Sequence, residues 1–589
     1  MIKSMTSSIS KALLLAAILG GSLAVASTQA LWKFNTALGK GINLGDLLEA
    51  PYEGAWGGLT LDKNDFHCIA AKGFQSVRIP IRWDGYGDEN DMTFDRMART
   101  APYTIDPRFF ARMDSVISWS RQNHLLVVLN DHHHDSLFTN YDHEVPRFLS
   151  MWKQIAERYK NLPNDSIAFE ILNEPNGQVG VDQWNTLLDT SLKVIRATNP
   201  SRPIVLGTAD WGGMGTLYDL KLPEDSNLIL TLHDYDPKPF VYQGASWISP
   251  AYPTGVAWGC YWDILQAINL ADQMEKYSRA KDIPIFIGEF GTTLVSDSAS
   301  RSKWTQVKSR LYESRGFSWS WWDYKEPEMG IYKQSEGKWS EGAIAALFST
   351  DTSLLRLDNA PATGADLIAN GIFAGTQSWS LVQMEHGTGS FTTDPKGAVI
   401  TVDSNPAQIS WAVEICQKAL LLKGQWSYLL SLQAWSDTPT TIDTWVGHGA
   451  DPWDSYGISG GMHIDSIPQT FLSSFQMPAG QNDSLGEVCI NMGRNLAQIH
   501  LDSVHLYALS NPTPIKSNLN KKGSLIQMES GHLVGYGRKP LASWLVDVRG
   551  KKVFALKWEQ QQGKWVADLS GAPKSRLLFV EHSAIRLVR

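Results

Sequence analysis

The sequence predicts an α/β protein: a closed parallel barrel of the (β/α)8, or TIM-barrel, type, followed by a β-sandwich of the jelly-roll kind and a small C-terminal β module. Three observations lead there. Between Gly39 and about Leu347, short apolar runs alternate with longer stretches whose apolar residues recur at helical spacing. The polar residues with chemistry to offer fall where the short runs end, and on a parallel barrel those ends share one rim. After Leu347 the helical period disappears and strand-like runs broken by turns take over.

Residues 1–30 read as a signal peptide. Lys3 and Lys11 flank a polar lead, Ala12 to Ala26 is apolar or small throughout, and Ala24-Val25-Ala26 or Thr28-Gln29-Ala30 offers small residues for cleavage. The run is shorter than the roughly 20 residues a spanning helix needs, and no later stretch looks membrane-spanning. The expectation is a secreted or cell-surface protein.

Residues 31–348 form the expected barrel. Its strands read Lys40–Leu44, Ser76–Pro80, Leu125–Asn130, Ile167–Asn173, Ile204–Gly207, Leu228–His233, Ile285–Phe290 and Phe317–Trp322. Helical spacing marks 106–123, 144–161, 181–199, 262–281 and 301–315 between them. Residues 349–366, with Pro361, Gly364 and small polar residues, read as a linker. The sandwich is expected over 367–510, where Trp426–Leu432, Glu487–Asn491 and Gln498–Leu506 look like antiparallel strands. A second linker, 511–522, leads to a C-terminal module over 523–589, in which 544–553 and 565–571 read as two strand pairs turning at glycines.

Composition narrows the partners. The 589 residues carry a net charge of −8, yet Lys516 to Arg589 holds nine lysines and five arginines against five acids. A basic tail invites thoughts of nucleic acid, but the acidic remainder, the leader and the lack of a helical basic face argue against it. Contact with an anionic cell envelope or polysaccharide surface fits better. Twenty-four tryptophans offer flat faces for sugar rings, though buried indoles also fill cores. None of the four cysteines lies in a metal-ligand spacing. Cys416 and Cys489 both fall in strand-like runs of the sandwich, so one bridge there is open in an oxidising compartment.

The chemistry centres on Asn173-Glu174-Pro175. Pro175 cannot donate to a sheet ladder, so the strand before it must stop and leave Glu174 at its exit. A second apolar run ends in Gly288-Glu289-Phe290-Gly291, about 115 residues on. Two strand-end glutamates on one rim make a pair suited to acid and nucleophile work. Other strand ends deliver Arg78, Asn130-Asp131-His132-His133-His134-Asp135, His233 with Tyr235, and Trp322. Adjacent histidines in extended chain point to opposite faces and converge poorly on a metal. His132 is expected to face the cleft, with at least one of His133 and His134 packed or solvated.

These residues resemble the retaining glycoside hydrolases of family 5, clan A. The resemblance rests on Gly41-Ile42-Asn43-Leu44-Gly45, Arg78, His132, Asn173-Glu174-Pro175, His233 with Tyr235, Gly288-Glu289-Phe290-Gly291 and Trp322, and spans residues 32 to 348. It implies that Glu174 is the acid/base and Glu289 the nucleophile. It also implies that Arg78, His132, Asn173, His233, Tyr235 and Trp322 line the central subsite. The aromatic loop Asp236–Gly259, with Trp247 and Trp258, and Trp56 and Trp83 beside it, is expected to stack on a polymer. Stretches around Leu48–Gly57 and Gln243–Trp247 resemble β-1,4-glucan-cleaving members, while β-mannan and mixed-linkage glucan stay open.

Within the sandwich, Ile368–Phe373 with Trp379, and Ile499–Val504, resemble carbohydrate-binding modules of the family 4 and 9 type. Trp435, Trp445, Trp453 and Tyr456 are its candidate sugar-facing aromatics. The last module is similar to C-terminal sorting domains of the type IX secretion route, although its ending at Arg576–Val580 departs from their glycine-aromatic pattern. The whole reads as a secreted, monomeric endo-β-1,4-glucanase that acts on polysaccharide and needs neither metal nor organic cofactor. A β-mannanase on the same scaffold and a non-catalytic polysaccharide-binding adhesin are the alternatives.

Overall fold

The computed structural model describes residues 29–86, 94–325, 327–357, 363–406, 409–478, 480–494 and 496–509, and beyond them the backbone of strands between 525 and 587. The expected leader up to residue 28, the 511–522 linker and the ending at Arg576 lie outside the described residues. Gln29 and Ala30 form the exposed start of a helix, α1 (29–38).

Eight parallel strands close a barrel in sequence order: β1 (Lys40–Asn43), β2 (Ser76–Ile79), β3 (Leu126–Asn130), β4 (Ile167–Glu170), β5 (Ile204–Leu206), β6 (Leu228–His233), β7 (Ile285–Phe290) and β8 (Ser318–Trp321). Each is apolar enough to be buried on both sides, as a parallel strand must be. β4 stops at Glu170, short of the expected Asn173, so Asn173 and Glu174 sit on a loop past the last rung. That loop stays tied to the sheet: Ile171 N donates to Val205 O at 3.1 Å and Asn173 N to Asp131 O at 2.8 Å. On the side where the strands begin, Leu31, Phe34 and Leu38 of α1 pack onto Val128, Ala168, Val205, Ile229 and Phe286.

The outer helices are α2 (Lys63–Lys72), α3 (Pro107–Gln122), α4 (Asp135–Thr139), α5 (Tyr141–Tyr159), α6 (Val181–Arg196), α7 (Lys238–Val241), α8 (Tyr261–Lys281), α9 (Ser298–Ser314) and α10 (Glu341–Leu347). Local chemistry sets their ends. Asp62 and Asp65 form a capping box at the start of α2, and Gly73 takes the left-handed position that ends it. Asp106 caps α3 ahead of Pro107, and Asp297 caps α9.

Many tryptophans belong to this frame. The indole N–H groups of Trp83, Trp152 and Trp184 each donate at 2.9 Å to a carbonyl at a strand end, those of Asn130, Ile171 and Gly207. Trp83 was a candidate sugar platform. It is fully buried against Phe109 instead, because its ring fills the core and its N–H satisfies a carbonyl.

A hairpin, β9 (Tyr332–Lys333) with β10 (Lys338–Trp339), precedes the sandwich. Residues 349–357 are no free spacer: Leu354, Leu355 and Leu357 pack on the barrel core. The sandwich strands are β11 (Ser380–Gln383), β12 (Thr388–Asp394), β13 (Gly397–Ser404), β14 (Val413–Leu422), β15 (Ser427–Ser436), β16 (Thr440–His448), β17 (Ser455–Ile464), β18 (Gln469–Gln476), β19 (Asp483–Asn491) and β20 (Gln498–Leu509). They form two five-stranded antiparallel sheets, ordered β11-β14-β19-β16-β17 and β12-β13-β20-β15-β18. Cys416 and Cys489 face each other across β14 and β19 and are joined by a disulfide. The 368–373 and 499–504 stretches build the jelly roll: Asn370 binds the carbonyls of Gly375 and Gln377, and Val504 N donates to Gly371 O.

Barrel and sandwich form one compact unit, and the sandwich docks directly on the barrel. Tyr218 stacks on His463 at 3.5 Å, and Ser474 Oγ donates to Asp263 at 2.6 Å.

Residues 512–589 are a second unit. It holds two four-stranded sheets, β21 (Leu525–Glu529), β22 (His532–Tyr536), β26 (Lys564–Asp568) and β25 (Trp558–Gln561) in one, and β24 (Lys552–Ala555), β23 (Trp544–Asp547), β27 (Leu577–Glu581) and β28 (Ser583–Leu587) in the other. β23 and β24 pair antiparallel, and Gly550 between them lies outside the described residues. The strand of Trp565 pairs with β22 and β25, and Gly571 lies outside the described residues.

Candidate active site

Arg78 is the centre of the rim. It projects from β2, fully buried, and all five of its N–H donors are used. Nε and Nη2 grip Glu170 of β4 at 2.7 and 2.6 Å; Nη2 also reaches Asn173 at 2.6 Å; Nη1 reaches Asn43 at 2.9 Å and Glu289 at 2.6 Å. Burial alone would lower its pKa, but Glu170 and Glu289 outweigh that and raise it, so the guanidinium stays charged.

Glu289, on β7, also accepts from the Tyr235 hydroxyl at 2.9 Å. Burial, then the charge of Glu289, pushes the Tyr235 phenol well above its ordinary pKa and keeps it a donor. Across the cleft, Glu174 is held by His233 Nδ1 at 2.7 Å, and the same nitrogen lies 3.5 Å from Glu289. Oxygens of Glu174 and Glu289 and a nitrogen of His233 lie within 4.8 Å of one another. Burial would push the imidazole pKa down; Glu289 and Glu174 on its two sides hold it above the ordinary value. Such a cluster of two carboxylates and an imidazole resembles a metal set, but the Arg78 guanidinium already neutralises Glu289 at 2.6 Å.

The three histidines part company. His132 stacks on Trp322 with centroids 5.5 Å apart; burial, then His133 and Arg78, lowers its pKa well below the usual range, so it is neutral. His133 meets Trp56 edge-on and is lowered to about 4, chiefly by burial. His134 turns away into the frame, bound to Asp131 at 2.7 Å. Burial opposes its charge, but Asp131 and Glu144 raise it to about 10.

Arg78, His132, Asn173, Glu174, His233, Tyr235, Glu289 and Trp322 are thus brought together on one rim. Trp247 stands on the 236–259 loop, half exposed, edge-on to Tyr242. Trp258 does not serve as a platform: it is 6% exposed and packs beside Phe240 in the barrel core. In the sandwich, Tyr456 is likewise buried, its hydroxyl donating to Asp483 at 3.0 Å, whereas Trp453 is 54% exposed and Trp435 lies flat on His500.

Sequence reasoning gave no role to Glu170, Asn43 or Trp211. The signal for Glu170 was present, a lone acid closing the apolar run Ile167-Ala168-Phe169. Asn43 orients by donating to Gly288 O at 2.9 Å while accepting from Arg78. Trp211 is 59% exposed on a turn whose next residue, Gly212, backs onto Glu174 and His233.

The cellulase family, glycosyl hydrolase family 5, matches residues 38–328. Endoglucanase H of Acetivibrio thermocellus is 35% identical over 320 residues, 54% of this chain and 33% of that protein. The chain therefore spans well under two thirds of that curated relative. The crystal structure of endoglucanase Cel5A from the hyperthermophilic Thermotoga maritima is 39% identical with a TM-score of 0.51, covering 54% of this chain and 99% of that one. Cel5A has also been solved in complex with cellobiose and, at 38% identity and a TM-score of 0.51 over 54% of this chain and 99% of that one, with mannotriose. On the strength of that likeness over a whole solved barrel, this chain belongs to glycosyl hydrolase family 5, the cellulase family.

Proposed function

We propose that the protein is a secreted endo-β-1,4-glucanase that hydrolyses cellulose and related β-glucans with retention, by double displacement. The observation that carries this reading is the pairing of Glu289, gripped by Arg78 and Tyr235, with Glu174, gripped by His233, at oxygen separations under 4.8 Å. Retaining enzymes hold their carboxyl groups about 5 to 5.5 Å apart, and inverting ones well beyond that, to admit a water.

In the first step a Glu289 oxygen attacks the anomeric carbon. The glycosidic C–O bond breaks, its electrons go to the leaving oxygen, and Glu174 delivers the proton that oxygen takes up. In the second step Glu174 takes a proton from water, whose oxygen displaces Glu289 from the same carbon. Arg78 and Tyr235 hold and aim the Glu289 carboxylate through hydrogen bonds at 2.6 and 2.9 Å. Asn173, aimed by Arg78, is placed for the sugar's 2-hydroxyl, and His132 with Trp322 forms the floor beside it.

Export is supported by the leader-like first thirty residues and by the Cys416–Cys489 bridge, which belongs to an oxidising compartment. Among the described residues no helix is long and apolar enough to cross a membrane. The sandwich is read as the polysaccharide-holding part. The outer face of its β14-β19-β16 sheet sets Trp445 beside the cystine, with Glu414, Glu487 and Asn491 around them. There the Asn491 Oδ1 is buried without a partner, and burial, then Glu487, lifts Glu414 to about 7. An unsatisfied polar atom beside an indole suits a hydroxyl-rich ligand. The basic C-terminal unit is read as a sorting or surface-contact module.

The Thermotoga complex with mannotriose keeps β-mannan as the second reading. The test is reducing-end release by the purified full chain on carboxymethyl-cellulose, mixed-linkage glucan and galactomannan, beside Glu289→Gln. Glucan cleavage that collapses in the variant supports the proposal. Preferential galactomannan cleavage promotes the mannanase, and a folded protein that cleaves none of them while sedimenting with insoluble polysaccharide is an adhesin.

A further inference from the structure

We propose that Arg494, a residue of the sandwich, is a positioning residue for the barrel's acid/base side: through Asp210 it holds the turn on which Glu174, His233 and Trp211 depend. This rests on the glucanase reading of Glu174 given above. The turn is Asp210-Trp211-Gly212, and all three residues are left-handed, with φ of 58°, 68° and 69°. Two of them carry side chains, so the conformation is costly and something must hold it.

On its inner side the turn touches the acid/base. A Cβ built on Gly212 would lie 3.3 Å from Glu174 Cγ and 3.4 Å from the His233 ring, and His233 N donates to Gly212 O at 2.9 Å. Trp211 N reaches Pro175 O, the residue after Glu174, at 3.4 Å. Any drift of the turn therefore moves the imidazole and the carboxyl that it orients.

On its outer side the turn is held by the sandwich. Arg494 Nη2 lies 2.9 Å from Asp210 and 3.4 Å from Asp443 of β16; the arginine side chain is 13% exposed and Asp210, at the other end of the pair, is half exposed. The approach is built for it: a Cβ on Gly215 would stand 3.0 Å from Nη2, and one on Gly461 of β17 would stand 2.6 Å from the Met214 carbonyl carbon. Asp443 is fixed in turn by Gly461 N at 2.8 Å. Sandwich, arginine, turn and acid/base form one unbroken chain of contacts.

The test compares full-length wild type with Arg494→Ala, Arg494→Lys and the gentler Asp210→Asn, by kcat/KM on cellopentaose and on dinitrophenyl β-cellobioside, whose leaving group departs without a proton. A displacement of the order of 1 Å at a catalytic group costs up to about 100-fold. We expect cellopentaose kcat/KM to fall about 10- to 100-fold in R494A and D210N, dinitrophenyl cellobioside to fall far less, and R494K to recover part of the loss. Hydrogen exchange in the 207–213 segment should quicken in the same variants. Unchanged kinetics, or equal losses on both substrates with a lower melting temperature, would overturn the proposal, the second by reducing Arg494 to scaffold. If wild type cleaves neither substrate, the glucanase reading fails; exchange then decides the coupling, and unchanged exchange in R494A refutes it.

Discussion

Arg78 shows how one residue can serve both fold and chemistry. A buried guanidinium is tolerable only when every donor is met, and here two carboxylates and two amides meet them. Arg78→Ala would leave Glu170 and Glu289 buried and uncompensated, at a cost of about 3–5 kcal/mol, measurable by denaturant unfolding. Arg78→Lys keeps the charge but not the fork, so it should fold better than the alanine variant and still lose nearly all turnover. Tyr235→Phe removes a single hydrogen bond to a charged group, worth about 1.5–3 kcal/mol. The expected result is a kcat about 10- to 100-fold lower with unchanged circular dichroism.

At the scale of elements, the barrel's strand ends are held by groups that sequence periodicity does not reveal. The Asp131–His134–Glu144 set ties the loop after β3 to α5, with His134 bound at 2.7 Å to Asp131. Because the folded His134 pKa is raised to about 10 from 6.5, its stabilisation is complete below pH 6.5 and is lost as pH climbs through about 10. His134→Gln should therefore lower the melting temperature at pH 6 and narrow its gap from wild type toward pH 10. An equal gap at both values would contradict this assignment. The eight barrel strands were legible because apolar runs bounded by glycine, proline and polar residues leave few alternatives. Their last residues were less so, since β4 ends where Glu170 turns to Arg78, a partner 92 residues away. The turn at Asp210-Trp211-Gly212 was illegible, because left-handed φ is rare at tryptophan and the Arg494 contact with Asp210 comes from a residue hundreds of positions on.

For the whole molecule, the sandwich emerges as part of the barrel's structure as well as a separate fold. The sequence marked the pair Cys416 and Cys489 by their strands, but it could not show that Tyr218 meets His463 or that Arg494 meets Asp210, contacts that link residues hundreds of positions apart. The abundance of tryptophan misled in part: Trp83 and Trp258 fill cores, while Trp211 stands exposed at the rim. The disulfide closes a loop of 73 residues, so Cys416→Ser with Cys489→Ser should lower the unfolding free energy of the sandwich by about 4 kcal/mol. Trp445→Ala should reduce sedimentation with insoluble cellulose, and full retention would remove that face from the polysaccharide-holding role. The central claim is retention by Glu174 and Glu289, and proton NMR of cellopentaose during its first minutes of cleavage by the full chain tests it most directly. Retention predicts that the β-anomer of the new reducing end appears first and the α-anomer only later by mutarotation; α first would mean inversion, and would contradict it.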